Sequence, residues 1–590
     1  MAFTPKNYVD QVGPAVPAAW LNGVDVTVNS VMQGAQTLVA AQTALGIINT
    51  QQSIGAVLYP VSAAETSAGV TPVNQGYPVL NVLRYGADPT GVADSTTAIN
   101  NAILVARVNG GLVHLPGGTY TTSATLAVGD YSGVWIKGDG AGITIIEPTS
   151  GLGSNPVISF GSTTGALNQG FHDLSILCAN ATGATGVSVY QANGFWAENF
   201  LIQQANIGIL ISAGVIQFYN NWQINRSGLY GIQLTGTGSG GNDRYFSNGV
   251  MSNVGFIQPT AGIFLQASAG DWLSNLDLIC QGTGLYASPG AGQAVEWLFA
   301  VNIACDTCSN DGIALSPASG GSINSLDFTA CWSSSASNFG VYFSGAGTIN
   351  GVRLNGCRVF NNQNHGIVLS AGSPITNTQI SNCDVAGNSA PVSPWNSATQ
   401  YSFGNLVTLS GTTYQATAAS LNKSPPNGSY WSVYSASTAN GIYIGAGVSA
   451  FSLNYNRVGS EAGQGTTQGY GIIVIAGASN NYSIIGNDVR GNITAGLIDF
   501  GTGSSKTVHS NTGYNPLGAT AITVAASPFT FTNTTGAPIA VQVNGGTVSG
   551  ITVNTQGLGS IVAGQFVVPQ GESIVVTYTV APTMVYYGVI

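Results

Sequence analysis

The sequence predicts an all-β fold in which most of the chain forms a β-solenoid. From about residue 155 to 510 it repeats every 21 to 31 residues, a period typical of stacked coils of short strands. Nine repeats begin with glycine and an apolar residue, as in GIFLQ at 262 and GIALS at 312. Glycine makes up 81 of the 590 residues and supplies the tight turns that such coils need.

The composition excludes several classes of partner and location. Only 6% of the residues are charged, 44% are hydrophobic, and the net charge is −10. This hydrophobic content predicts a folded chain, and the absence of a basic run argues against nucleic acid and anionic membranes as partners. No window has the roughly 18 to 20 apolar residues that span a bilayer. The N-terminus lacks a secretory signal, so export by the ordinary route is not predicted either.

Five of the seven cysteines follow the repeat. Spacings of 25, 26, 26 and 26 residues separate Cys280, Cys305, Cys331, Cys357 and Cys383. One cysteine per coil predicts an interior stack of buried, reduced thiols, and a chain of this size builds its core without disulfides. Cys308 completes a CxxC that has no second pair or histidine nearby, so neither a metal site nor a cofactor is predicted.

The segment ahead of the repeat carries a specific family resemblance. Residues 80–148 contain LNVLRYGADPTGVADSTTAINNAI, GGLVHLPGGTYTTSATL and GVWIKGDGAGITIIEP. They resemble the start of the pectate-lyase-type right-handed parallel β-helix found in phage tailspikes and related polysaccharide-degrading enzymes. Asp94 is a predicted helix N-cap here. One apolar helix face is predicted from Ile99, Ala102, Ile103 and Ala106. We expect this helix to cover the open end of the solenoid, where strand edges are otherwise exposed.

The remaining segments complete the predicted domain organisation. We divide the chain into a helical attachment region and linker (1–76), a β-helix cap (77–150), parallel coils (151–390 and 438–516), an inserted module (391–437) and a C-terminal antiparallel β-domain (517–590). Apolar residues spaced by three and four between 21 and 45 predict a short coiled coil, with a surface helix as the alternative. The tailspike resemblance implies that the N-terminus binds phage tail or baseplate proteins and that the C-terminal domain holds a homotrimer together.

Residues 391–437 resemble a small chitin-binding-type carbohydrate module. The matching positions are Trp395, Tyr401, Gly404, Val407, Tyr414, Pro426 and Trp431. Asn405 stands where that family often has aspartate. The resemblance implies sugar contacts through the aromatic residues Trp395, Tyr401, Tyr414 and Trp431. A module this small also needs aromatic side chains for its core, so both roles stay open for each of the four.

Acidic residues concentrate in the coils between Arg244 and Arg353. Six of the 22 acids lie there, with no Lys or Arg among them. We interpret GDWLSNLDLIC (270–280) and VEWLFAVNIAC (295–305) as equivalent segments, which places Asp271 and Glu296 one coil apart. Asp243 is their counterpart one coil earlier. Because coils stack at about 4.8 Å, neighbouring carboxylates in this column are predicted at roughly the separation of retaining glycosidases.

A second predicted column follows the middle residue of each apolar–X–apolar strand. It contains Asp277, Asn302, Asp327, Arg353 and Gln379, whose apolar neighbours point inward. Asp277 and Asp327 are then two coils, or roughly 10 Å, apart, close to the spacing in inverting enzymes. Stacked like charges raise the pKa of at least one carboxyl, as a general acid requires.

Three tryptophans follow the same register. Trp272 and Trp297 come directly after the two acids, and Trp332 follows Cys331. Outward-facing indoles beside carboxylates are suited to a sugar-binding groove. The alternative is that the indoles fill the interior and the acids lie in solvated turns, because adjacent strand residues face opposite sides. For any single tryptophan, the interior position is favoured. For the acid cluster as a whole, a functional site is favoured.

Together these features predict a trimeric phage tailspike that binds and cleaves a bacterial surface polysaccharide, capsule or O-antigen, by hydrolysis. The predicted acid/base set is Asp271, Glu296, Asp277 and Asp327. Predicted substrate contacts are Asp243, Trp272, Trp297, Trp332 and Arg353. Such a protein belongs to the virion and acts outside the host cell. Two alternatives stay open: a receptor-binding fibre without catalysis, and a polysaccharide lyase centred on Arg353, with Arg358 and Tyr342.

Overall fold

The computed structural model covers most of the chain in twelve segments. It describes residues 51–163, 165–236, 243–254, 261–280, 282–372, 374–390, 392–401, 405–418, 420–433, 439–459, 467–514 and 519–588. The coiled coil predicted between residues 21 and 45 lies outside the described residues.

Within the described ranges, three helices precede or cap the solenoid. They are α1 (Gln51–Leu58), α2 (Ala63–Ala68) and α3 (Thr96–Asn109), with short 3-10 turns at Val82–Tyr85 and Ser150–Leu152. The predicted apolar face of α3 is confirmed, since Ile99, Ala102, Ile103 and Ala106 have no solvent exposure. Asp94 lies one residue before the N-cap Ser95 and accepts a hydrogen bond from the Thr96 N–H at 2.9 Å. Arg107 at the other end of α3 donates to the carbonyls of Ala127 and Val128, which fixes the helix on the first coil.

The predicted fold class, a parallel β-helix followed by a C-terminal antiparallel β-domain, is confirmed. The coils form two long faces, here called sheet A and sheet B. Sheet A consists of Thr90–Asp94, Gly111–His114, Gly118–Thr122, Val134–Lys137, Thr144–Pro148, Gly170–Leu177, Phe195–Gln203, Gln217–Asn225, Arg244–Val254, Trp272–Cys280, Ala294–Asp306, Ser322–Thr329, Trp332–Ser334, Thr348–Asn350, Arg353–Asn355, Arg358–Phe360, Ile375–Thr376, Thr378–Ser381, Asp384–Ala386, Phe451–Asn454, Arg457–Gly459, Tyr482–Ile485 and Lys506–His509.

Sheet B carries the Gly-apolar motif of each repeat. Its strands are Leu126–Gly129, Pro156–Phe160, Thr185–Tyr190, Ile207–Ser212, Tyr230–Thr235, Ala261–Ala269, Thr283–Ala287, Ile313–Leu315, Val341–Phe343, Ile367–Leu369, Ile442–Ile444, Tyr470–Gly477 and Ala495–Gly501. A separate pair of short strands joins Ala166–Leu167 to Ala192–Asn193. The glycines of the motif are needed because a Cβ at Gly284 would lie 2.7 Å from the Gly312 carbonyl oxygen of the next coil.

Each coil of sheet A bends at two residues in the left-handed region, which we call the first and second corner. First corners lie at Asp243, Gly270, Trp297, Ser325, Gly351 and Asn377. Second corners lie at Asn275, Asn302, Ala330, Gly356 and Asn382. A left-handed residue interrupts the alternation of inward and outward side chains. The inward or outward direction of a side chain therefore depends on where the corners fall in its coil. The backbone pairing defines these positions, and the alternation of residues alone does not.

The interior contains thiols and amides as well as apolar side chains. All seven cysteines are buried and free, which confirms the predicted reduced thiols. Cys331, Cys357 and Cys383 share one column, because Trp332 pairs with Arg358 and Arg358 with Asp384. Cys305 instead pairs with Leu278 and Ser333, so the predicted single cysteine stack is wrong at its N-terminal end.

The segment between Asp384–Ala386 and Arg457–Gly459 contains a small antiparallel unit. Its strands are Gln400–Tyr401, Leu406–Leu409, Thr412–Ala416, Ser420–Leu421 and Trp431–Val433. Asp384 pairs directly with Arg457 across this segment, so the coil register continues on both sides of the insertion.

The C-terminal region folds as two antiparallel sheets around a separate core. One sheet contains Thr520–Ile522, Ile539–Asn544, Gly564–Val568 and Thr583–Gly588; the other contains Phe529–Thr532, Thr547–Val553, Gln556–Gly557 and Ser573–Val580. Val541, Ile574 and Met584 are among the residues buried between them. Within the described residues, none of the helices has the length and hydropathy needed to span a membrane.

Candidate functional site

One outward column of sheet A, here called the aromatic column, changes character along the solenoid. Backbone pairing aligns Trp196, Phe218, Tyr245, Trp272 and Phe299 on successive coils. The same column then continues as Asp327, Arg353 and Gln379. Five aromatic residues are thus followed directly by an acid, a base and an amide.

The rings of the aromatic column stack on one another. Successive ring centroids are 4.2, 5.0, 6.1 and 4.4 Å apart, with interplanar angles between 11° and 28°. Stacking hides the ring faces between neighbours, so the column presents mainly ring edges to solvent. Phe299 is the last ring, and the coil that follows it contributes Asp327 rather than another aromatic residue. On that side Phe299 is therefore not stacked on another ring of the aromatic column.

A groove of about 500 Å³ lies at this end of the column. It is lined by Trp272, Phe299, Val301, Asp327, Thr329, Arg353, Asn355, Gln379, Ser381 and Asn382. One Arg353 guanidinium nitrogen lies 3.2 Å from an Asp327 carboxylate oxygen, and these side chains are 60% and 29% exposed. The groove therefore combines an aromatic face with a solvated ion pair and several amide and hydroxyl groups.

Three of the predicted site residues meet in this groove. Trp272, Asp327 and Arg353 all line it, and the alignment of Asp327, Arg353 and Gln379 on successive coils is as predicted. Phe299 was missed. In the sequence it lies in WLFAV without a polar neighbour, and its only signal is the register that pairs it with both Trp272 and Asp327.

Asp271 does not belong to a groove. Its carboxylate accepts hydrogen bonds from Arg244 Nε at 2.7 Å and Nη2 at 3.1 Å, and both side chains are completely buried. Gly270, at the first corner, makes the next residue face inward, so Asp271 enters the interior column that also holds Gln217 and Leu298. The prediction of Asp271 as a surface acid is wrong.

The predicted equivalence of Asp271 and Glu296 is also wrong. Trp272 pairs with Phe299, which shifts the second segment by two residues. Glu296 instead pairs with Ala269 and Asn324, and its carboxylate accepts a hydrogen bond from Asn324 Nδ2 at 3.0 Å.

Two further predicted substrate contacts, Asp243 of the first predicted column and the tryptophan Trp297, lie at first corners. Asp243 and Trp297 both have left-handed backbone conformations and are exposed. Each is separated from the groove by the inward residue that follows its corner. Neither side chain lines the groove.

The second predicted column divides between the two sides of the second corner. Asn302 is itself a corner residue, and Asp277 pairs with Ala304 beyond the corner. Asp277 and Asp327 are therefore in different columns, contrary to the predicted spacing of two coils. Burial and the neighbouring Asp306 carboxylate raise the pKa of Asp277 above its usual value. Trp332 follows Ala304 in this outer column and is exposed.

The aromatic residues of the inserted module divide between core and surface. Tyr401 and Trp431 are buried with Val407 and Ala416, and the Trp431 Nε1–H donates to the Lys423 carbonyl at 2.6 Å. Trp395 and Tyr414 are half-buried at the edge of this core. The module contacts the solenoid through Asn405, whose Nδ2 donates to the Ser309 carbonyl at 2.7 Å.

Two family models match the chain in succession. Residues 79–286 match the model described as rhamnogalacturonase A/epimerase, pectate lyase-like, and residues 297–407 match that of the right-handed β-helix region. The solenoid is thus a right-handed β-helix, as predicted. No curated protein matches the chain.

Similar solved structures include both phage and bacterial proteins. The Dettilon tailspike is 14% identical at a TM-score of 0.47, covering 86% of this chain and 94% of its own. The A-module of an Azotobacter vinelandii mannuronan C-5 epimerase is 16% identical at 0.46, covering 74% and 99%. A variant tailspike of E. coli bacteriophage HK620, solved with a pentasaccharide, is 11% identical at 0.44, covering 86% and 93%.

Proposed function

We propose that the protein is a phage tailspike that binds a bacterial surface polysaccharide, capsule or O-antigen, in the groove and depolymerises it by hydrolysis. The carrying observation is the position of Phe299, whose unstacked side adjoins the Asp327–Arg353 pair in the groove. A pyranose ring has an apolar face and a rim of hydroxyl groups. Such a ring stacks on an aromatic face while its hydroxyls bond to charged and amide groups.

The polar lining of the groove is suited to an extended sugar chain. Arg353, Asn355 and Gln379 supply N–H donors, and Asp327 and Ser381 supply acceptors, across successive coils. Coils stack at about 4.8 Å, so a polymer lying along the solenoid axis meets a new set of groups at each coil. Groups of both signs favour a neutral or weakly charged polymer over a strongly anionic one.

Sequence comparison supports the substrate class. The matched model of residues 79–286 is named for rhamnogalacturonase A and an epimerase, which act on polysaccharide. The tailspike assignment rests on the resemblance of residues 80–148, and that of the inserted module adds a second carbohydrate contact. The tailspike assignment also includes the proposed homotrimer, attachment to tail or baseplate proteins through the N-terminus, and action at the host surface.

Hydrolysis is favoured over elimination by the positions of the candidate groups. For a lyase, Arg353, Arg358 and Tyr342 would have to act together. Tyr342 lies in sheet B and Arg353 in sheet A, while the Arg358 guanidinium stacks on Phe360 at 5.2 Å. Arg353 is engaged by Asp327. A binding protein without catalysis is the second candidate, because Asp327 is the only carboxylate among the residues that line the groove.

A binding and cleavage assay on purified bacterial polysaccharides tests this function. We expect the full chain to retain at least one member of a panel of capsules and O-antigens and to release new reducing ends from it. Phe299→Ala should weaken binding about tenfold, the equivalent of 1.4 kcal/mol, because the stacking face is lost. Trp196→Ala removes an aromatic residue at the far end of the same column and should bind as the wild type does.

Each result of this assay has a defined meaning. Failure to bind any polysaccharide, or full binding by Phe299→Ala, contradicts the proposed groove. Binding without new reducing ends favours the receptor-binding fibre. Unsaturated products that absorb ultraviolet light would show elimination instead of hydrolysis.

A further inference from the structure

We infer that the hydrolytic centre is a second site, outside the groove, in which the carboxylates of Asp277 and Asp306 face the indole of Trp332. This inference rests on the proposed function, because it names the residues that would cleave the bound polymer. It assigns a role to Asp306, which the sequence pattern does not single out as catalytic. It also separates the cleaving groups from the binding groove.

The backbone register brings the three side chains to one notch. Asp277 pairs with Ala304 on the next coil, and Ala304 pairs with Trp332 on the coil after that. Ala304 has only a methyl group, so the column has a gap between the carboxylate and the indole. Asp306 lies two residues beyond Ala304 on the same strand and faces outward beside this gap.

The separation of the two acids is suited to hydrolysis. Ile279 pairs with Asp306, so Asp277 and Asp306 are diagonal neighbours on adjacent coils. A coil spacing of about 4.8 Å and two residues of about 3.3 Å each place their Cα atoms roughly 8 Å apart. Carboxyl groups that project in parallel keep about that distance, which leaves room for a sugar and a water molecule.

The two carboxyl groups have different surroundings. Asp306 accepts a hydrogen bond from the Ser334 hydroxyl at 2.7 Å, which fixes its orientation. The Asp277 carboxyl makes no side-chain hydrogen bond to any of the described residues. Burial, and then the charge of Asp306, raise the pKa of Asp277. Asp277 is thus suited to donate a proton, and Asp306 is suited to accept one.

Trp332 provides a sugar-binding face at the notch. Its indole packs against Phe360 on one side, with ring centroids 5.4 Å apart. Phe360 pairs with Ser334 and belongs to the following coil, so this contact covers the side away from Ala304. On the Ala304 side the backbone pairing places no ring beside the indole, and the residue is 40% exposed.

The proposed reaction is hydrolysis in one displacement. Asp277 transfers its proton to the glycosidic oxygen as the bond from that oxygen to the anomeric carbon breaks. A water molecule attacks the anomeric carbon from the other face and gives its proton to Asp306. One water is consumed and nothing is oxidised or reduced. Proton exchange with solvent then restores both carboxyl groups.

Three isosteric variants of the full chain test the pair. Asp277→Asn and Asp306→Asn each remove one carboxylate of the notch. Asp384→Asn is the matched control, since Asp384 is an outward acid two coils beyond Trp332 and is ion-paired with Arg457. The probe is the panel of purified capsules and O-antigens, with reducing-end release and retention measured separately on each polysaccharide.

We expect Asp277→Asn and Asp306→Asn to lose at least about 100-fold in cleavage rate, as the loss of a general acid or base does. Both should retain polysaccharide within about twofold of the wild type, and Asp384→Asn should match the wild type in both assays. Cleavage within tenfold of the wild type by either notch variant overturns the assignment. So does a wild type that retains a polysaccharide without cleaving it, which leaves groove binding intact. Absence of any retention removes the proposed function and this inference with it.

Discussion

At the scale of single residues, local sequence does not determine which member of an acid–tryptophan pair faces inward. In GDWL, Gly270 is a first corner and directs Asp271 into the solenoid and Trp272 outward. In VEWL, Trp297 is itself the corner, so Glu296 lies before it and Leu298 becomes the inward residue. The two similar tetrapeptides thus place their acids in different environments. The first corner is the first residue of GDWL but the third residue of VEWL, so the acid follows the corner in one and precedes it in the other.

The buried Arg244–Asp271 pair should be important for stability. Asp271→Ala leaves a completely buried guanidinium without its carboxylate, which typically costs about 3–5 kcal/mol. We expect a corresponding loss in the free energy of unfolding in guanidinium chloride. Asp384→Ala removes an acid that is ion-paired with Arg457 but is 35% exposed, and should cost less than about 1 kcal/mol. Equal stability of Asp271→Ala and the wild type would exclude this role.

Asp311 should make stability depend on pH. Its carboxyl is buried under Phe339, where it accepts hydrogen bonds from that backbone N–H and from Asn338 Nδ2. Burial raises the pKa of Asp311 from 3.8 to about 7. Between these values the folded chain binds the extra proton, so this residue's contribution is full below about pH 4 and is lost as the pH rises to about 7.

Asp311→Asn tests this dependence. The amide oxygen still accepts both hydrogen bonds, and it carries no charge at any of these pH values. We expect the denaturation midpoint of Asp311→Asn, relative to the wild type, to rise as the pH increases from 5 to 8. A constant difference between the two proteins over that range would contradict the buried, titrating carboxyl.

At the scale of structural elements, the sequence predicts the type of coil but not its register. LDL at 276–278 is a true in-out-in strand, with Asp277 between buried leucines. VNI at 301–303 has the same pattern but straddles a corner, since Val301 is exposed, Asn302 is left-handed and Ile303 is buried. The alternation of strands therefore cannot align these coils. The column of Asp327, Arg353 and Gln379 was predictable because its three strands all precede the second corner.

The interior columns tolerate a change from sulfur to amide. On the next three coils, the column of Cys331, Cys357 and Cys383 continues with Asn456, Asn487 and Asn511. Both residue types use the same acceptors, because Cys383 Sγ lies 3.5 Å from the Leu354 carbonyl oxygen and Asn487 Nδ2 lies 2.8 Å from that of Leu453. A small polar side chain bonded to the preceding coil is the common requirement of this position.

The thiols should be inert in the folded protein. All seven are buried, and burial raises the pKa of Cys178 to about 12, so its reactive thiolate is scarce at neutral pH. We expect no reaction of the native chain with Ellman's reagent and seven equivalents after denaturation without reductant. Fewer than seven after denaturation would reveal a disulfide, and rapid reaction of the native chain would show an open coil.

At the scale of the whole molecule, the scarce charges are used for two purposes. Among the residues that the structure describes, three ion pairs are buried: Glu65–Arg84 beside the cap, Arg244–Asp271 in the middle coils, and Asp499–Lys506 near the last coils. Other acids lie on the outer face of sheet A, where the groove and the notch occupy the same coils on opposite sides of the second corner. The first set stabilises the solenoid along its length, and the second is available to a ligand.

The inserted module should be dispensable for folding of the solenoid. Its two ends return to the same turn, because the Ala390 N–H donates to the Asn362 carbonyl at 3.0 Å and the Asn440 N–H donates to His365 Nδ1 at 2.7 Å. Replacing residues 391–438 by a short Gly-Ser linker therefore closes the coil without shifting its register. We expect a thermal unfolding midpoint within a few degrees of the full chain.

Asn388→Ala in the shortened chain is the contrasting variant, since it breaks buried hydrogen bonds to Val359 and Gln468 and should cost about 1–3 kcal/mol. A shortened chain that fails to fold would show that the module is part of the solenoid rather than an addition to it.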